Sequence, residues 1–254
     1  MSLTKEKLQQ IMTEPSEALI RDVAKLQGDL MILGAGGKVG PTMAIKARRA
    51  LTAAGSKARV IAVSLFDYAD APGAMRDAGV EVIEADISDP KQLAALQKKY
   101  KAERIVLEMN GMQQIGDLYM KFPEPWVVAQ EVMFADATTI MQYNANMRNL
   151  VMDKLSGAQM VVFNRLAPGA DTMPFHKVAR AANRRVGILY DYTDGTTAFD
   201  EIEDPLPFDI NAPVIEIKDE DYAIWFRDVT EEPRKYDGKT VRFKAQVAML
   251  RREK

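Results

Sequence analysis

The chain has 254 residues, with 34 basic and 36 acidic side chains, no cysteine and one histidine, His176. The missing cysteines exclude disulfides and thiolate metal sites, and a lone histidine excludes a multi-histidine centre, so no metal site is expected. A net charge of −2 gives no general attraction to nucleic acid or anionic membrane; neither is expected as a partner, and the expected address is cytoplasmic.

In chain order, residues 1–27 show helical spacing (Leu8, Ile11, then Leu19, Ile20, Val23, Leu26) interrupted near Pro15. This N-terminal stretch is charged and lacks the apolar core of a signal peptide. No apolar run in the chain approaches the roughly 18 residues a membrane helix needs. "DLMILG" is short, apolar and strand-like, and "PTMAIKARRALTAAG" after it is helical. "ARVIAVSLF" is a second buried strand, "APGAMRDAGV" a short helix and "VEVIEAD" a third strand. "DPKQLAALQKKYK" is a helix with acid near its start and lysine near its end, as the helix dipole prefers. "ERIVLEMNG" is a fourth strand.

Beyond it, "WVVAQEVMFAD" is strand-like and "ATTIMQYNANMRNLVMDKL" one long amphipathic helix. "AQMVVFN" and "RRVGILYDY" are strands around the helix "PFHKVARAAN". Strands apolar on both faces that alternate with helices predict an α/β fold, a doubly wound, mostly parallel Rossmann-like sheet with strand order 3-2-1-4-5-6. This domain is expected over residues 1–192, followed by an acidic, proline-containing linker at 193–212 and a short C-terminal β appendage at 213–254.

The stretch with the clearest chemistry is Gly34-Ala35-Gly36-Gly37-Lys38-Val39-Gly40. It follows a strand and opens a helix. Glycines there allow a tight turn and close approach of a pyrophosphate, and the helix N-terminus holds the anion. A Walker loop is the rival phosphate cradle, but Val39 stands where Ser or Thr must hold Mg²⁺, and no glycine precedes at the required distance. The loop is therefore assigned to a dinucleotide.

Residues 1 to about 100 resemble an NAD-dependent epimerase/dehydratase-like family of the extended short-chain dehydrogenase/reductase superfamily. The likeness lies in "TEPSEALI", "GDLMILGAGGKVGPT" and "RVIAVSLF". It implies NAD or NADP as cofactor, with Asp86 and Ile87 at the position that touches adenine. Ser64 and Leu65 end strand two, where an acid or an arginine would choose between the two cofactors. Neither residue decides, and Asp67 lies a little too late. The Tyr-x-x-x-Lys pair of the superfamily is absent: Tyr119 is followed by Pro123, Tyr143 by Met147 and Tyr100 by Arg104. Binding or sensing is therefore expected over turnover, and no catalytic group is assigned.

From about residue 99 the chain resembles the later part of a CobW-type GTPase, in "KYKAERIVLEMNGM", "WVVAQEVMFADATT", "YNANMRNLVMDKLSGAQMVVFNR" and "YTDGTTAFDEIEDPLPFDINAP". The resemblance implies an acid-x-x-Gly from Glu108 to Gly111, an Asp136-Ala137 strand end and a guanine motif degraded to Asn164-Arg165-Leu166-Ala167. The junction falls near 96–104. The alternative readings are thus a metal-handling GTPase that has lost its P-loop, or an engineered α/β chimera without a ligand.

Among other residues, Glu108 and Asn110 end strand four and Asp136 ends strand five, on the side where such sheets bind ligands. Glu108 and Asn110 join the cofactor-binding set with Ser64. His176 reads as an ordinary helix residue. The acidic run Asp191, Asp194, Asp200, Glu201, Glu203 and Asp204 reads as solvated, and the fifteen methionines as core filling.

Overall fold

The computed structural model describes residues 4–66 and 71–246. Asp67 and the end of the last apolar run, 247–250, lie outside the described residues. The chain divides into two compact units, Met1–Asp200 and Glu201–Lys254.

The first unit opens with α1 (Lys5–Thr13) and α2 (Glu17–Val23), each capped by a side-chain oxygen, Thr4 and Ser16. The break falls at Glu14–Ser16, around the expected Pro15. Next come β1 (Leu30–Leu33), α3 (Gly40–Ala53), β2 (Val60–Ser64), α4 (Ala71–Asp77), β3 (Glu81–Glu84), α5 (Pro90–Tyr100) and β4 (Arg104–Leu107). These four strands are parallel, in the order β3-β2-β1-β4.

The double winding follows from strand alternation. Leu30 and Ile32 of β1, with Val60 and Ala62 of β2, pack against Ala44, Ala47 and Leu51 of α3. Met31 and Leu33, with Ile61 and Val63, face the other way onto Leu93, Leu96 and Tyr100 of α5. Such strands have no solvated face and so read as unbroken apolar runs.

After β4 the chain departs from the expected single sheet. A short helix α6 (Ile115–Tyr119) leads to β5 (Val132–Asp136), α7 (Ile140–Asn146), α8 (Arg148–Gly157), β6 (Met160–Leu166), α9 (Met173–Ala182), β7 (Gly187–Tyr192) and β8 (Thr197–Phe199). These strands form a second sheet, β5-β6-β7-β8, parallel except for the β7–β8 hairpin. The expected order 3-2-1-4-5-6 therefore holds through β4, and β5 does not pair with β4. The 108–131 connection contains only the five-residue α6. That is little helix for the crossover that lays one parallel strand beside another.

Two other expectations fail locally. Strand structure in "WVVAQEVMFAD" is confined to Val132–Asp136. Trp126 instead packs beside Phe122 and donates its indole N–H to Gln97 Oε1 at 2.7 Å. The single helix expected over 137–155 breaks at Met147 (φ −134°, ψ 42°). Asn146 donates its side-chain amide to the Gln142 carbonyl at 2.8 Å, an example of a short polar side chain competing with the helical ladder.

In the second unit, β9 (Val214–Glu216) and β10 (Thr240–Arg242) pair in parallel, with α10 (Tyr222–Glu231) between them in sequence. Phe208, Ile215, Ile217, Trp225 and Tyr236 form its core. Buried Asp228 accepts a hydrogen bond from Tyr236 OH at 2.6 Å and lies 3.1 Å from Lys235 Nζ.

Candidate functional site

The glycine loop joins β1 to α3, where the backbone must reverse within a few residues. Gly34 takes a left-handed φ of 76°, and its carbonyl accepts from Gly37 N–H at 2.8 Å. A Cβ on Gly34 would lie 2.4 Å from the Glu108 carbonyl oxygen, so conformation and crowding both demand glycine. Gly40 starts α3 pressed on the chain of Ala35, where a Cβ would meet the Ala35 backbone at 2.6 Å. Ala35 is fully buried, and its N–H donates to the Val63 carbonyl at 3.1 Å. Ser64, at the end of β2, sets its Oγ 2.7 Å from the place of a Gly36 Cβ.

The N-terminus of α3 is poorly provided for by its own sequence. Val39 at the N-cap offers no side-chain acceptor, the first turn has no acidic residue, and a proline stands inside it. The Val39 N–H donates instead to Glu108 Oε1 at 3.2 Å. Beyond this loop lies a cavity of about 690 Å³, lined by Gly34, Gly37, Lys38, Glu108, Asn110 and Lys121 among others. Ile87 and Ser88 line it from the end of β3.

The structure thus brings together Gly34, Gly37, Lys38, Ile87, Glu108 and Asn110 of the expected set. Val39 is about half exposed at the mouth of α3, at 53%. Asp86 is not on the cavity wall among the described residues; its Oδ1 accepts from the Ser88 N–H at 2.8 Å, which shapes the turn presenting Ile87 and Ser88. Asn110 similarly accepts from Met112 N–H at 3.0 Å. Lys121, Asp117 and Leu118 complete the wall from α6 and its end. No motif marks these residues; only the unpredicted α6 puts them there.

Outside the cavity, two strand-end groupings acquire plain structural roles. Asp136 Oδ1 accepts from the Thr138 hydroxyl and N–H, and Arg165 Nη1 lies 2.6 Å from Oδ2. The Thr138 hydroxyl, then its N–H, then Arg165 hold the Asp136 carboxyl below the usual range. Asp200 corrects the solvated-run reading: its side chain is 1% exposed, with Oδ2 2.8 Å from His176 Nδ1 and Oδ1 accepting from Tyr190 OH at 2.8 Å. His176, expected as an ordinary helix residue, is on α9 but fully buried, at 1%. Tyr119, at the end of α6, donates its phenol to Glu131; burial and that carboxylate push the phenol above its ordinary value near 10.

Among the described residues, no helix is long and apolar enough to cross a membrane. No family model matches the sequence, and no curated protein does. Among solved structures, an NADPH-dependent quinone oxidoreductase from Escherichia coli matches at 15% identity and a TM-score of 0.24, over 64% of this chain and 46% of that one. Glucose-6-phosphate 1-dehydrogenase from Mycobacterium avium matches at 18% and 0.27, over 62% and 33%. Leucoanthocyanidin reductase from Vitis vinifera matches at 11% and 0.25, over 75% and 56%. The chain spans from about a third to just over half the length of these proteins. Similarity at this level carries no cofactor or substrate across. The fold itself has a clear class: an α/β chain with mostly parallel, Rossmann-like sheets and a glycine turn at the carboxyl end of β1.

Proposed function

We propose that this chain binds a dinucleotide of the nicotinamide–adenine type, NAD or NADP, at the carboxyl end of β1. The observation behind this reading is the glycine turn: Gly34 makes the reversal, Gly37 leaves backbone without a side chain just before α3, and both line a cavity of about 690 Å³. Backbone without side chains beside a helix N-terminus is what a pyrophosphate needs. Gly37 and the Val39 N–H would hold the diphosphate, with Lys38 and Lys121 supplying positive charge from the wall. Ile87 and Ser88 suit the adenosine end, and Asn110 the nicotinamide end. Ser64 offers neither the acid nor the arginine that separates NAD from NADP, so both belong in the assay.

Binding or sensing fits this site better than turnover. A phenol that takes a substrate proton needs a lowered pKa. The Tyr119 phenol instead donates to Glu131 and is raised, and Tyr100 OH donates to Glu81 Oε1 at 2.7 Å. The test is titration with NAD(H) and NADP(H), followed by calorimetry and thermal unfolding. A ligand that binds only the folded chain at a hundred times its Kd adds about 2.7 kcal/mol. Absence of any stabilisation at millimolar cofactor would sink the reading.

A further inference from the structure

We infer that Glu108 is a built-in competitor of the dinucleotide: its carboxylate occupies the diphosphate seat on the glycine loop and must swing away before a dinucleotide can bind. The inference rests on the proposed cofactor reading and adds a regulating residue to that site.

The geometry is specific. A Cβ built on Gly37 would lie 2.8 Å from Glu108 Cδ and Oε1 and 2.9 Å from Oε2. The carboxylate is thus laid flat on the backbone of the glycine that a pyrophosphate approaches. Its Oε1 also accepts the Val39 N–H, the donor at the entry to α3. An anion already sits on the positive helix end, and a second one needs the same space and the same donor. The glycine at position 37 is therefore explained twice over, by a diphosphate and by Glu108.

The hold on Glu108 is incomplete. The Val39 bond is long, at 3.2 Å, and Glu108 Oε2 is buried without a hydrogen-bond partner. A buried acceptor left unsatisfied is costly, so this arrangement is a weak resting state. The Glu108 backbone, in contrast, is pinned: its N–H donates to the Leu33 carbonyl at 3.0 Å, and its own carbonyl crowds Gly34. Release is a rotation of one side chain, with no strand movement. Lys38 and Lys121 line the same cavity and are the cations available to a displaced carboxylate.

The experiment compares wild type with Glu108→Gln, which keeps the shape and removes the charge, and Glu108→Ala, which removes both. Affinities for NADH, ADP-ribose and adenosine are measured by calorimetry, with thermal unfolding confirming that each variant is folded. Glu108→Gln suffices if the alanine variant does not fold. The expected result is NADH and ADP-ribose binding about tenfold tighter in both variants, the scale of one anion removed from a helix end, with adenosine, which has no diphosphate, unchanged. Binding by the variants alone would support the inference as well. Wild type that binds NADH as tightly as the variants, or more tightly, overturns it and leaves the dinucleotide reading standing, with Glu108 then a cofactor contact or a simple helix cap. No binding of NADH or ADP-ribose by any of the three proteins removes the dinucleotide reading and this inference together.

Discussion

In the β3-β2-β1-β4 sheet, every residue of β1 and all of β2 except Ser64 are buried, and apolar side chains fill both faces. In the β5-β6-β7-β8 sheet, β5 exposes Val132 at 41% and Phe134 at 71%, and a buried polar group, Asp200 with His176 and Tyr190, sits behind β7. The first sheet is held by area removed from water, which is non-directional and leaves its loops free to be shaped for a ligand. The second depends on a charge that must keep its partners, because an uncompensated buried charge costs more than the pair contributes. The cavity-lining glycines Gly34 and Gly37 stand on the first sheet, whereas at the strand ends of the second Asp136 pairs with Arg165.

Substitutions can break or sharpen this contrast. The largest effect is expected for Asp200→Ala, which takes the acceptor from His176 and Tyr190 and leaves Arg180, 3.6 Å from the lost carboxylate, without it; denaturant unfolding should show a loss of about 3–5 kcal/mol. Ile32→Ala in β1 should cost about 3 kcal/mol by the same measurement, as a cavity between packed layers. If Asp200→Ala is the milder of the two, the polar group is peripheral and the contrast between the sheets falls. Gly34→Ala should cost about 2 kcal/mol, from its left-handed φ and the Glu108 carbonyl behind it, and should lower NADH affinity at least in proportion.

Tyr119→Phe is a smaller change, expected at about 1 kcal/mol near neutrality through one lost hydrogen bond. Its signature is the pH dependence. The folded phenol is raised above its ordinary value near 10, so its contribution is fully present below that value and is lost as pH rises toward the folded value. Stability curves of wild type and Tyr119→Phe should therefore converge in the alkaline range; parallel curves up to the alkaline limit would contradict the Tyr119–Glu131 contact. The smallest effect belongs to Arg165→Ala. Arg165 is 65% exposed in its pair with Asp136, and surface pairs contribute about 0–1 kcal/mol. A loss above about 2 kcal/mol on thermal unfolding would show that the strand ends of the second sheet are not mere closures.

The strands and helices of the first sheet were legible because apolar runs, a proline-marked break and terminal charges each report on a local preference. The Gly34–Gly40 turn was legible for the same reason: a strand, glycines at fixed spacing and a helix follow one another in the chain. The long 137–155 helix was misread because apolar spacing runs through Asn144–Met147 while the backbone does not. Asp200 was misread because its acidic neighbours are solvated, and only the fold of β7 and β8 brings it onto His176 from 24 positions away.

By itself, the sequence determined the α/β class, the doubly wound order of the first four strands and the place of the glycine loop, all set by periodicity and turn chemistry within short windows. The tertiary structure alone decided that β5 leaves β4 to start a second sheet, since strand pairing is a long-range choice. It alone decided that Lys121 joins the cavity and that the Glu108 carboxylate lies across Gly37. Glu108 stands 69 positions from the Val39 N–H that it accepts, and Lys121 stands 84 positions from Gly37 on the same cavity wall. No local pattern records such a distance; the pairing of β4 with β1 brings in Glu108, and α6 brings in Lys121.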